Sequence, residues 1–355
     1  MYRMKKTKIV ATMSDFRCTE EFVKNLYDAG MDVVRVNSAH VTEDGATHIV
    51  ETVHRVNPAI PIMIDTKGPE IRVTTIADEY GNSINFRVGD RVTADNTVPC
   101  GVCHYCKKGD FIHCPDKRNL GNKANGGFAE YVKVAEGKAV RLPDHVSFNE
   151  GCLSEPVACC MHSMDQMNIR YGDDVLVMGA GPMGMILAML ASHSSANHVV
   201  VCASSAAKLE KVKALGIETV LMDRGDYSKH EKELLSRYPL GFDCLFDATG
   251  AEELVYSTPR LMKMGGRILG YGYYRGEHPT LRFPFNEFWD RELTYYSSLS
   301  QVGDFGRAVD AIASGKVNAK ALISGEYDLD HYFDGLDRVM HEKDVIKIII
   351  HPNAE

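Results

Sequence analysis

The chain has 355 residues, 45% hydrophobic and 25% charged, with a formal charge of −8. That is core material for two linked domains in a soluble globular protein, and the acidic balance excludes nucleic acid as an expected partner. The most apolar window, Val175 to Ala191, is broken by glycines and Pro182 and is too short for a bilayer, so no membrane span is expected.

The start, MYRMKKTKIVATM, is basic but has no long apolar core with a small-residue cleavage site, which makes the cytoplasm the expected compartment. Residues 1 to 85 then read as a βαβαβ segment. Lys8 to Met13 is a strand. Thr19 caps a helix with Glu20 and Glu21 in its first turn, Phe22, Val23 and Leu26 on its inner face and Gly30 at its end. DVVRVN is a second strand, a second helix starts near Thr42, and PIMID is a third strand. Parallel strands joined by helices belong to an α/β layer or barrel.

The strings TKIVATM, AGMDVVRVN and DTKGPEIR resemble the opening of the pyruvate kinase barrel, a TIM barrel. That resemblance implies Arg35 at a substrate phosphate, Asn37, Asp65 and Thr66 at a potassium site, and Arg72 facing a nucleotide. Ala39 stands where that family commonly has a serine ligand, and the later strands with the catalytic lysine and the magnesium-binding carboxylates are absent. A quarter of a barrel cannot close. An α/β appendage is therefore expected here, with a pyruvate kinase-related phosphotransferase as the least favoured alternative, and the two halves of the chain meet between about Val73 and Val92.

Residues 86 to 153 carry PCGVCHYCKKGDFIHC, where Cys100, Cys103, Cys106 and Cys114 can wrap one ion. Four sulfurs with no open position make a closed tetrahedral zinc site, structural rather than catalytic. An iron–sulfur cluster is the competing reading, but the proline-punctuated ferredoxin pattern is missing. Cys18, Cys152, Cys159, Cys160, Cys202 and Cys244 lie mostly in apolar runs, which fits reduced core thiols. After the cluster, Gly126-Gly127, the alternating run Ala129 to Val134 and Pro143 predict short strands and turns.

Residues 154 to 297 begin inside LSEPVACC, at Ser154, and continue into DDVLVMGAGPMGMILAML. Val175 to Met178 is a strand, and Gly179, Gly181 and Gly184 set the GxGxxG spacing, with Pro182 and Met183 between them, that turns backbone amides and a helix amino terminus toward a pyrophosphate. Further βα signals in FDCLFDATG and GGRILGYG predict a doubly wound parallel sheet, a Rossmann domain.

From VGDRVTADNTVPCGVCHYC onward, with GGFAEYVKV, LSEPVACC, GAGPMG, FPFNEFWDREL and DVIKIIIHP in order, the sequence resembles the zinc-dependent medium-chain alcohol dehydrogenases, in particular their polyol and threonine dehydrogenase branch. The resemblance implies an α/β fold with a partial GroES-like β domain carrying a structural zinc lobe, and residues 298 to 355 returning to that domain. It implies hydride exchange between a nicotinamide cofactor and a small-molecule secondary alcohol or polyol, in a homodimer or homotetramer. At the end of the second Rossmann strand, where NAD-binding domains place an acid, stands Ala203, followed by Ser204, Ser205 and Lys208. This looks like the loop of NADP-using relatives and favours NADP(H); NAD(H) stays open because no arginine stands beside the serines.

The same resemblance implies a catalytic zinc held by a cysteine, a GHE motif and the glutamate of an EP motif. Glu155 matches the last, although an acid there also suits the start of the following helix. No GHE and no CGSD-like loop occur in residues 1 to 90. Cys159, Cys160 and His162 lie near Glu155 in sequence, but adjacent cysteines face different sides of a helix, and local packing is the expected role of all three. Impaired catalysis is the expectation, with non-catalytic binding of NADP(H) and zinc as the alternative.

Overall fold

The structure is a computed structural model that describes residues 9–37, 42–65, 76–77, 83–84, 86, 89–129, 131–274, 282–301 and 303–352. The chain divides into two compact units, Met1–Phe86 and Arg87–Glu355.

In the first unit, β1 (Val10–Met13), α1 (Glu20–Asp28), β2 (Val33–Asn37), α2 (Glu43–Val56) and β3 (Ile62–Asp65) follow one another, and the strands pair in parallel in the order β1-β2-β3. Both helices start at threonine caps: Thr19 accepts from the Phe22 N–H at 3.2 Å and Thr42 from the Gly45 N–H at 3.1 Å. Gly30, at φ 104°, ends the first helix in the left-handed region that glycine tolerates. Alternation along β2 sends Val34 and Val36 inward, where they meet Met13, Val23, Ile49 and Val53 in a core of this unit's own. A short antiparallel pair, β4 (Ile76–Ala77) and β5 (Ser83–Ile84), follows. Lys8, Ala39, Thr66 and Arg72, and the side chains of Asn37 and Asp65, lie outside the described residues.

The second unit begins with short antiparallel ladders. β6 (Val92–Ala94) pairs with β9 (Ala139–Arg141), and β7 (Thr97–Val98) with β8 (Arg118–Asn119), the latter two flanking α3 (His104–Lys107). Of the strand expected over Ala129 to Val134, none forms among the described residues: residues 131–135 have no secondary structure and Tyr131 is 89% exposed. Alternation alone does not make a strand. The backbone needs a neighbour to accept and donate its hydrogen bonds, and none pairs here among the described residues.

Next come α4 (Phe148–Gly151), started by a capping box between Ser147 and Glu150, and α5 (Ser154–Met167). The large sheet then runs β10 (Asp174–Met178), α6 (Pro182–Ser192), β11 (His198–Ala203), α7 (Ala206–Ala214), β12 (Glu218–Leu221), α8 (Tyr227–Arg237), β13 (Phe242–Asp247), α9 (Glu252–Ser257), β14 (Met262–Gly270), α10 (Phe285–Asp290) and β15 (Thr294–Ser297). All six strands are parallel, in the order β12-β11-β10-β13-β14-β15, which is the doubly wound arrangement. Both faces are covered, so the central strands β10, β11 and β13 are buried and mostly apolar beyond their first residues. Val175, Val177, Val201 and Phe246 enter one core with Val157 and Ile186; Leu176, Met178, Val200 and Leu245 enter the other with Leu234 and Leu254.

Past β15, α11 (Phe305–Ala313) lies in the first of these cores through Phe305, Ala308, Val309 and Ile312. The chain ends in β16 (Ile323–Asp328) and β17 (Lys347–His351), a two-stranded parallel pair linked by α12 (Tyr332–His341). Buried Asp95 joins the early ladder to the segment after β15. It accepts from Lys138 Nζ at 2.7 Å, from the Thr97 N–H at 2.9 Å and from Gln301 Nε2.

Candidate functional site

The four cysteines of the lobe come together. Cys100, Cys103, Cys106 and Cys114 place their sulfurs within 4.8 Å of one another. Cys103 starts α3, and its sulfur accepts from the Cys106 N–H at 3.4 Å, while Cys114 Sγ accepts from the Cys100 N–H at 3.3 Å. Amides aimed at sulfur favour thiolates, the form a metal requires. Hydrogen bonds from the backbone of Val102 and Cys103 bring the Cys100 thiol down to about 7, whereas burial pushes Cys106 up to about 12. A four-sulfur donor set this compact fits a closed tetrahedral zinc. The other six cysteines are free; all are buried except Cys152.

The glycine turn lies where β10 meets α6. Gly179 has φ 109° and donates its N–H to Cys202 O at 2.8 Å. A Cβ on Gly184 would stand 2.0 Å from the Gly179 carbonyl oxygen, and one on Gly179 would press on Thr249 and Ala248, which follow β13. Only glycine allows the backbone to close this tightly, and the turn at the amino end of α6, with Pro182 in the helix's first turn, is of the kind that could hold a pyrophosphate.

At the end of β11, Ala203 is buried and Ser204 follows. Ser205 caps α7, accepting from the Lys208 N–H at 3.4 Å, and Lys208 is half-buried with its ammonium lowered by burial and by Lys211. The expectation that no arginine stands beside the serines is corrected by the fold. Arg224, in the loop after β12, donates from Nε to Ser204 Oγ at 2.9 Å. It is twenty residues away in sequence and adjacent in space, because β11 and β12 are parallel neighbours with Ala203 opposite Leu221.

Glu155 sits half-buried in the first turn of α5. One turn on, the Cys159 thiol donates to Glu155 Oε1 at 3.4 Å, and burial, reinforced by that carboxylate, raises Cys159 well above the ordinary thiol range. Cys160 turns the other way, toward the Met183 carbonyl at 3.7 Å, as adjacent helical residues must. Among the described residues, no group of three potential metal ligands includes Glu155. In the first unit, Arg35 donates to Thr12 Oγ1 at 3.0 Å on the neighbouring strand.

Residues 182–314 match the family model described as zinc-binding dehydrogenase, and residues 4–104 match the barrel domain of pyruvate kinase. D-arabinitol dehydrogenase 1 of Uromyces fabae is 32% identical over 77% of this chain and 78% of its own length. D-arabitol-phosphate dehydrogenase of Enterococcus avium is 31% identical over 84% of each. A putative zinc-binding dehydrogenase from Sinorhizobium meliloti, solved bound to NADP, superposes with a TM-score of 0.69 at 26% identity, covering 78% of this chain and 81% of that one. The fold and the dinucleotide turn thus define an α/β oxidoreductase of the nicotinamide class. More narrowly, the chain belongs to the zinc-dependent medium-chain polyol and alcohol dehydrogenases, preceded by a pyruvate kinase-like amino terminus. No helix among the described residues is long and apolar enough to cross a membrane.

Proposed function

We propose that this chain is an NADP(H)-linked dehydrogenase for a secondary alcohol or polyol that binds one structural zinc and whose turnover is impaired. The observation that carries the impairment is the company Glu155 keeps: Cys159 is the one ligand-type side chain hydrogen-bonded to it, and no third joins them among the described residues. A bound catalytic zinc polarises the alcohol oxygen and lowers its pKa so that hydride can leave the carbon. Holding such an ion takes three protein ligands.

The cofactor side is better furnished. Gly179, Gly181 and Gly184, with Pro182 and Met183 opening α6, are the pyrophosphate residues; Ser204, Ser205 and Lys208 are the residues for a ribose phosphate, supported by the absence of a carboxylate at Ala203. Cys100, Cys103, Cys106 and Cys114 would hold the structural zinc. An assembly of two or four chains belongs to the same proposal, supported by β15, an edge strand of the large sheet.

Zinc per chain by elemental analysis, NADPH binding by nicotinamide fluorescence, and polyol-dependent reduction of NADP test the reading together. The expected result is about one zinc, NADPH bound in preference to NADH, and only slow polyol-dependent reduction of NADP. Two zincs with turnover would overturn the impairment.

A further inference from the structure

We infer that Arg224 is the residue by which this chain tells a 2′-phosphorylated adenosine from an unphosphorylated one, an inference that rests on the NADP(H) reading above. Pairing between β11 and β12 continues past the end of β12, since the Met222 N–H donates to O of Ala203, the last residue of β11, at 2.9 Å. This sets the two following loops side by side and delivers the Arg224 guanidinium to Ser204. The contact uses one of the five N–H donors of arginine. Arg224 is exposed and makes no ion pair among the described residues, so its planar fork is available to an anion.

The acids nearest to it in sequence are committed elsewhere. Asp223 accepts from Lys229 Nζ at 2.6 Å and from the Gly225 N–H at 2.9 Å, and Asp226 accepts from the Ser228 N–H and hydroxyl at 3.1 and 2.7 Å. The amino end of α7, capped by Ser205, adds the positive pole of a helix beside Ser204. Ala203 offers no carboxylate to accept from a ribose diol. A guanidinium held by a hydroxyl, with a helix pole beside it and no ion pair of its own among the described residues, is a recognition unit for a phosphate oxyanion. Gly179 lies at the same carboxyl end of the parallel strands, tied to Cys202 just before Ala203, so the turn for the pyrophosphate and this unit serve the two ends of one adenosine.

The test is calorimetric titration of the full chain with adenosine 2′,5′-bisphosphate and with adenosine 5′-monophosphate, neither of which carries a nicotinamide or is turned over. The wild type is expected to bind the bisphosphate about 10- to 100-fold more tightly. Arg224→Gln is expected to bring that ratio to within about threefold while leaving the monophosphate unchanged, and Arg224→Lys to keep part of it. Zinc content and melting temperature report the fold of each variant, and the lysine variant carries the comparison if the glutamine variant does not fold. An unchanged ratio in a folded Arg224→Gln would overturn the role of Arg224 and leave the NADP(H) reading standing on Ser205 and Lys208. Equal binding of the two nucleotides by the wild type would overturn that reading and the inference with it.

Discussion

His230, on the inner face of α8, is fully buried, and neither ring nitrogen has a hydrogen-bond partner. Its nearest ring is Tyr227, edge to face at 5.6 Å. Burial lowers its pKa below the ordinary 6.5, against the weaker opposite pull of Asp226 and Glu233. For a base lowered on folding, the unfolded chain takes up a proton near 6.5 while the folded chain does not. The penalty is therefore absent above that value and grows as the pH falls from it toward the folded value. Thermal melting should fall between about pH 7 and pH 5 in the wild type, and less steeply in His230→Leu. Parallel curves for the two proteins would remove His230 as the cause.

At the scale of the element, the turn between β10 and α6 has the least room for change. The approach of Gly184 to the Gly179 carbonyl leaves no space for a methyl group, and backbone cannot swing aside as a side chain can. Gly184→Ala should cost about 1–3 kcal/mol of stability and weaken NADPH binding by about tenfold or more, because the amides that face the pyrophosphate shift with the turn. Urea unfolding and fluorescence titration measure the two effects; unchanged binding would show that the pyrophosphate is not held here. Gly181, with nothing within 4 Å of its would-be Cβ, is the contrasting position and should tolerate alanine better.

Across the whole molecule, burial is uneven. The six-stranded sheet is covered on both faces, while β6 with β9 and β16 with β17 are two-stranded ladders, a size that is marginal by itself. The face of α12 that carries Phe333, Val339 and Met340 is exposed. Amides of β16 and β17 should therefore exchange with solvent through a lower-energy opening than those of β10 and β13, even though Ile349 reaches the first core. Equal protection in native-state hydrogen exchange would mean that these ladders share the global stability of the sheet.

What the sequence by itself determined lies within short spans. The Thr19 and Thr42 caps, the glycine turn and the four cysteines are governed by local turns and by the periods of helix and strand, and each can be read from a few consecutive residues. That the Rossmann strands form a doubly wound parallel sheet was legible too, because a repeated strand, turn and helix leaves few topologies open. Three things depended on which distant segments lie side by side. Ala129 to Val134 alternates as a strand does, yet its described residues pair with no other described strand; Glu155 has Cys159 and, among the described residues, no third ligand-type group; and Arg224 meets Ser204 across two parallel strands. Only the tertiary structure decided these, because hydrogen-bond partners and side-chain neighbours twenty or more residues apart leave no periodic trace in the chain.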